Sequence, residues 1–181
     1  MSSPPPRFVV LKFGGTSVST PGRWRTIARL IADRTAEGLR PVVVCSALSG
    51  ISNQLEALSG LAVQGRHEPA EAAIRERHLA LASELGVDGE AVLAADFEEL
   101  SRLALAASLL REAAPALVAR LMAMGEVLST RLGAAFLAAQ GVPAMWHDAR
   151  TSLVAREDPL APAARAYLSA TCDFEPDPPP A

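Results

Sequence analysis

The chain has 181 residues, half of them hydrophobic, with 17 Lys and Arg set against 20 Asp and Glu for a formal charge of -3. That is enough for one domain with a sizeable core, or for a large piece of a bigger one, and the composition is globular. With no cluster of Lys and Arg, no apolar run near the roughly 20 residues of a membrane-spanning helix, and a Pro-rich Met1–Pro6 unlike a signal peptide, nucleic acid, membrane and export are all disfavoured. Cys45 and Cys172, the only cysteines, have no partner at metal-ligand spacing and read as reduced thiols of a soluble cytoplasmic protein.

Along the chain, Phe8-Val9-Val10-Leu11 is a short apolar run with β-branched residues, the pattern of a buried strand. It runs into Lys12-Phe13-Gly14-Gly15-Thr16-Ser17, whose paired glycines mark a tight turn. Ser19 or Thr20 is placed to cap a helix with Pro21 in its first turn. Trp24, Ile27, Ala28, Leu30 and Ile31 carry its helical period, and Gly38 sits at its stop. Pro41-Val42-Val43-Val44-Cys45 is a second buried strand, so the three elements form a βαβ unit with parallel neighbouring strands. From about Gln54 to Gln140 the chain turns rich in Ala, Leu, Glu and Arg. Breaks near 65–69, 86–89 and 115 predict three or four helices, including 70–85, 91–112 and 116–140. Val142-Pro143-Ala144-Met145-Trp146 is expected as a third strand, Arg150 to Leu160 as loop, and the Pro-rich 176–180 as neither helix nor central strand. Three strands are too few to cover so many helices. Either the helices bundle among themselves, or more sheet is supplied from elsewhere.

Three local patterns bear on chemistry. A strand, then Lys12-Phe13-Gly14-Gly15-Thr16-Ser17, then a helix, offers backbone N–H groups, a helix N-terminus, a point charge and two hydroxyls to an anion. The Lys precedes the glycines, so this is neither the P-loop nor the dinucleotide fingerprint. By spacing alone a plain glycine turn with a surface Lys serves equally well. Ser46-Ala47-Leu48-Ser49-Gly50-Ile51-Ser52-Asn53 leaves the second strand's carboxyl end, where ligand crevices form. A polar turn with Ser49 or Ser52 capping a helix explains the same residues, and by spacing better. Met124-Gly125-Glu126 puts a carboxylate in an apolar helical stretch, half buried by its neighbours. Its partner is a substrate cation, or else Arg131, Arg120 or solvent. His67 and His78 read as solvated, and His147, with Asp148 at a strand end, reads as structural.

Taken in order, these pieces resemble the aspartokinases of the amino acid kinase family. Val10-Leu11-Lys12-Phe13-Gly14-Gly15-Thr16-Ser17-Val18 is similar to that family's opening signature, and Val43 to Asn53 to its second-strand segment. Met124-Gly125-Glu126 with Leu128-Ser129-Thr130 is similar to its Gly-Glu-x-x-Ser block, and Trp146-His147-Asp148-Ala149-Arg150 to its Asp-x-Arg segment. More narrowly, the run resembles the kinase portion of bifunctional aspartate kinase/diaminopimelate decarboxylases. The resemblance implies a three-layer αβα fold, of which this is the N-terminal part with a helical segment at 54–140. Residues 1–7 would be disordered, 8–170 a partial kinase domain and 171–181 a tail. It implies transfer of the ATP γ-phosphoryl group, with Mg2+, to the β-carboxylate of L-aspartate, towards lysine, threonine and methionine. Lys12, Phe13, Gly14, Gly15, Thr16 and Ser17 would meet the phosphates, Lys12 catalytically. Ser46 and Ser52 would hold aspartate, and Glu126 its ammonium; Ser52 stands where the family usually has Thr. No protein metal ligand is implied.

The family's downstream Gly-Arg-Gly-Gly-Ser-Asp segment has no counterpart here, so the resemblance implies a partial site with little turnover by itself, paired with a missing C-terminal half or a second copy. The competing readings are another amino acid kinase, acting on glutamate, carbamate or a nucleotide, and a non-catalytic module whose helices serve dimerisation or have no function of their own.

Overall fold

The computed structural model describes residues 7–156 and 171–174. The expectations for residues 1–6, 157–170 and 175–181, the Pro-rich end included, lie outside the described residues. Arg7–Phe13 forms strand β1 and Leu39–Cys45 strand β2. They pair in parallel from Arg7 opposite Leu39 to Phe13 opposite Cys45, as the βαβ reading requires. Pro21–Ala36 forms the connecting helix α1, with Thr20 at the N-cap position and Pro21 in the first turn, although no side chain caps it. Gly38, at φ +76°, makes the left-handed turn after it, its N–H bonded to the Thr35 carbonyl at 2.9 Å. Trp24, Ile27 and Ile31 face inward from α1, the stripe that its helical period anticipates.

Both strands were expected to be buried, and only one face of each is. Leu11, Phe13 and Val43 pack towards the core, whereas Phe8 and Val10 are 65% and 67% exposed and Val42 and Val44 are exposed beside them. A parallel pair ordinarily carries cover on both faces; here the described helices cover one. A continuous apolar run signals that both faces suit burial, and cannot say what supplies the second cover.

Ile51–Val63, Glu68–Leu85, Gly89–Leu110 and Pro115–Ala139 form helices α2 to α5, the larger of the two numbers expected. They bundle among themselves: α5 packs on α4 and α2, and α3 on α2 and α4. Leu55, Leu58, Ile74, Leu81, Leu93, Leu100, Leu121, Met124 and Leu128 are fully buried between them. Asp88 caps α4 by accepting the Ala91 N–H at 3.0 Å. His78 is corrected from solvated to buried. It shares the inward face of α3 with Ile74 and Leu81, one turn before and one turn after it, and has no exposure. Its Nδ1 pairs with the Ile74 carbonyl at 2.8 Å, and its ring meets Phe97 edge-on. Burial pushes its pKa down.

Two further expectations change. Helix α5 is long and apolar enough to cross a membrane by length and composition, which the search for unbroken apolar runs overlooked because a few charges interrupt it. Its Leu121, Met124, Leu128, Leu132 and Phe136 are instead core residues. Residues 142–148 form no strand. Pro143 lacks an N–H, and the segment docks through side chains, the Trp146 Nε1–H donating to Thr130 Oγ1 at 3.0 Å. Part of the expected loop is ordered, with a 3-10 turn at Ala149–Thr151 and strand β3 at Leu153–Arg156. Strand β3 pairs antiparallel with β4, Thr171–Phe174, at the start of the expected tail.

Candidate functional site

The carboxyl ends of β1 and β2 lie side by side, with Lys12 opposite Val44 and Phe13 opposite Cys45. Beyond β1, Gly15–Val18 turns as a 3-10 helix, closed by the Ser17 N–H on the Gly14 carbonyl at 2.8 Å. Beyond β2, Ser46 continues the ladder through its N–H to the Phe13 carbonyl at 3.0 Å. The two turns nearly touch. A Cβ on Gly15 would stand 2.8 Å from the Ala47 carbonyl oxygen and 3.3 Å from the Ser49 nitrogen, so only glycine fits there. Ser19, almost fully buried, joins the turns: its Oγ donates to the Gly15 carbonyl at 2.6 Å and accepts the Ser49 N–H at 2.8 Å.

Helix α2 starts at Ile51 behind Gly50, which is left-handed at φ +84°. Neither Ser49 nor Ser52 caps it through a side chain, contrary to the plain-turn reading, since a left-handed glycine already makes the entry. Ser52 in its first turn keeps a free hydroxyl. Helix α5 reaches the same place. A Cβ on Gly125 would lie 2.8 Å from that of Ala47, and the buried Ser129 donates its Oγ to the Ser46 carbonyl at 2.7 Å. Glu126 between them is exposed rather than half buried. Its two expected protein partners are engaged elsewhere. Arg131 lies 2.6 Å from Asp96 and 3.8 Å over the Trp146 ring, and Arg120 lies 3.5 Å from Glu99.

Lys12, Thr16, Ser17, Ser46, Ser52 and Glu126 thus stand on elements that meet at one corner, the carboxyl ends of β1 and β2. Among the described residues none of these side chains has a hydrogen-bond or ion-pair partner. Phe13 differs: its side chain packs on the core and its carbonyl serves Ser46, so it takes part through backbone alone. A cation, hydroxyls and glycine-turn amides can hold an anion, while a carboxylate set apart can hold an ammonium.

On the far side of α5 the charges are paired. Arg150 binds Asp148 at 2.8 Å and Glu99 at 3.4 Å, and its hydrogen bond holds the Asp148 carboxyl below the usual carboxylate range. Burial pushes the Asp96 carboxyl up against the pull of Arg131. His147 pairs with Ser152 at 2.6 Å, in keeping with a structural role. Cys45 is buried, its thiol pushed up to about 11 by desolvation, which makes it a poor nucleophile. His67 is only partly exposed, with a buried Nδ1 lacking a partner. Among the described residues no group of three His, Cys, Asp or Glu could hold a metal ion.

Sequence reasoning read Ser19 only as a candidate helix cap and Ser129 only as part of the Gly-Glu-x-x-Ser pattern, and gave neither a place in the site. It passed over Arg77, whose guanidinium donates to the Ser19 carbonyl at 3.2 Å across 58 positions of sequence.

The model of the amino acid kinase family matches residues 7–170. The chain is 34% identical over 145 residues to the chloroplastic aspartokinase 1 of Arabidopsis thaliana, covering 77% of this chain and 25% of that protein. It is 34% identical over 143 residues to the aspartokinase of Chlamydia trachomatis, covering 78% of this chain and 30% of that one. Escherichia coli aspartokinase III, solved with aspartate and ADP, superposes with a TM-score of 0.69 at 32% identity over 81% of this chain and 32% of that one. The same enzyme solved with lysine and aspartate gives 0.72 at 29% identity over 92% and 35%. The chain spans between a quarter and about a third of the length of these relatives. A family match over nearly its whole length and an α/β fold shared with a solved aspartokinase, reached through the glycine turn and the Gly125-Glu126 helix, place the chain in the amino acid kinase family.

Proposed function

We propose that this corner is the aspartate- and phosphate-facing part of an aspartate kinase site, in which the ATP γ-phosphoryl group passes to the β-carboxylate of L-aspartate to give 4-phospho-L-aspartate. The observation that carries this reading is the set of unpaired side chains on elements that converge at the carboxyl ends of two parallel strands. Lys12 neutralises charge on the transferring phosphoryl group, and the Gly14-Gly15 amides with Thr16 and Ser17 hold its oxygens, a reaction driven by positioning and electrostatics. Ser46 and Ser52 hydrogen-bond the aspartate, and Glu126 binds its ammonium. The described residues do not form a protein cage for magnesium, so no step is assigned to one; the ion belongs with the nucleotide's phosphates.

Turnover by these 181 residues alone is expected to be low, because no Gly-Arg-Gly-Gly-Ser-Asp segment occurs in the sequence. The exposed apolar face of Phe8, Val10, Val42 and Val44 favours association with further protein, a second copy or the remainder of a kinase domain. Cytoplasmic placement and a part in lysine, threonine and methionine synthesis belong to the same proposal. The test is calorimetric titration of the folded chain with L-aspartate and with L-glutamate. Aspartate is expected to bind in preference, and Glu126→Ala to weaken it at least tenfold, about 1.4 kcal/mol. Undiminished aspartate binding by a folded Glu126→Ala chain, or a preference for glutamate, overturns the assignment.

A further inference from the structure

We infer that Ser19 and Ser129 are positioning residues of this site, holding the Ser46–Gly50 turn in its binding shape from opposite sides. The inference rests on the reading of that turn as a substrate-binding segment.

The turn has little to hold it by itself. Within it, the Leu48 carbonyl accepts the Ile51 N–H at 3.0 Å. The remaining anchors come from other elements. Ser46 has its N–H on the Phe13 carbonyl and its own carbonyl under the Ser129 hydroxyl, so its backbone is fixed and its side-chain hydroxyl is left unpaired. Ser129 has no exposure and also lies 3.2 Å from the Glu126 carbonyl. One hydroxyl thus spans the helix turn that carries the carboxylate and the strand end that carries Ser46. Ser19 does the equivalent at the other end, using both donor and acceptor capacity, on Gly15 and on Ser49. Its carbonyl receives Arg77 of α3, which ties the helical bundle to the same point. A site that positions its ligand by hydroxyls must have the backbone bearing them held by its neighbours. Neither serine touches the proposed ligand; each acts through the turn.

The experiment uses the 181-residue chain with Ser19→Ala, Ser129→Ala and Ser19→Thr, following amide hydrogen exchange together with L-aspartate titration. In Ser19→Ala the Ser49 amide is expected to exchange at least tenfold faster, and in Ser129→Ala the amides of Ser46 to Leu48, while those of Leu58 and Leu132 keep their rates. Aspartate affinity is expected to fall about tenfold in both Ala variants and to recover in Ser19→Thr. Should Ser129→Ala fail to fold, Ser19→Ala and its Thr rescue carry the test. Exchange that accelerates uniformly through the helices, or aspartate affinity unchanged by either Ala substitution, overturns the inference. The parent reading fails separately: a wild-type chain that binds no aspartate, yet shows the local exchange response, loses the substrate assignment and keeps the two serines as holders of the turn.

Discussion

Helices α2 to α5 and the strand pair β1–β2 are both strongly apolar in sequence, yet they end in different surroundings. The helices enclose most of their apolar residues, so that Leu55, Leu100, Leu121 and Leu128 have no exposure. Of their large apolar side chains, only Leu105, Leu109 and Leu110, in the last turns of α4, are exposed. The strands bury one face on α1 and α5 and present Phe8, Val10, Val42 and Val44 to the outside. A helix bundle can close on itself because each helix needs only a stripe of cover, whereas a parallel sheet has two faces and needs a layer on each. Folding stability should therefore reside on the covered side. The outer strand face should contribute little until something covers it.

The largest effect is expected where the covered side meets α1. The Trp24 ring occupies the space that a Cβ on Gly133 of α5 would need, meets Phe136 edge-on at 6.3 Å, and donates its Nε1–H to the Val18 carbonyl at 2.8 Å. Trp24→Ala should cost about 3–5 kcal/mol in urea denaturation. A loss under about 1 kcal/mol would mean that α1 is not part of the same cooperative unit. An intermediate effect concerns His78. Its folded pKa is depressed by burial, so the fold keeps it neutral. As pH falls below the ordinary value near 6.5, the unfolded chain takes up a proton that the folded chain refuses. Stability should then decline with falling pH, by up to about 1.4 kcal/mol per unit, until the folded pKa is reached. Above the ordinary value this term vanishes. His78→Leu should flatten the slope between pH 7.5 and 5.5, and an equal slope in both proteins would assign the proton elsewhere.

The smallest effect belongs to the outer face. Val10→Thr and Val42→Thr should each change the unfolding free energy measured in urea by less than about 0.5 kcal/mol while lowering any tendency to associate in sedimentation. A loss as large as that at Trp24 would show that the face is covered in solution, and would erase the contrast between the two regions.

The local pattern alone predicted α1, the parallel pairing of β1 with β2, and a run of helices after them, because helical period, paired β-branched runs and glycine stops report on the nearest neighbours of each residue. The resemblance supplied roles for Lys12, Ser46, Ser52 and Glu126, and the structure brings their elements together. Burial was less legible. His78 looked solvated among its Arg and Glu neighbours until the register of α3 turned it inward, and Glu126 looked half buried until α5 packed with that side out. The Val142–Trp146 run looked like a strand, but a strand needs a partner, and the segment found side chains of α5 instead.

What the sequence by itself determined is the set of local conformations and the chemistry on offer: a glycine turn after a Lys-bearing strand, hydroxyls after the next strand, and a carboxylate on a long helix. Only the tertiary structure decided that Gly15 must be bare because Ala47 stands against it, that Ser19 and Ser129 reach across 30 and 83 residues of chain to the same turn, and that Arg131 and Arg120 are taken by other carboxylates. Those are contacts between distant segments. A residue's own sequence neighbourhood sets how it can turn, and packing sets what it meets.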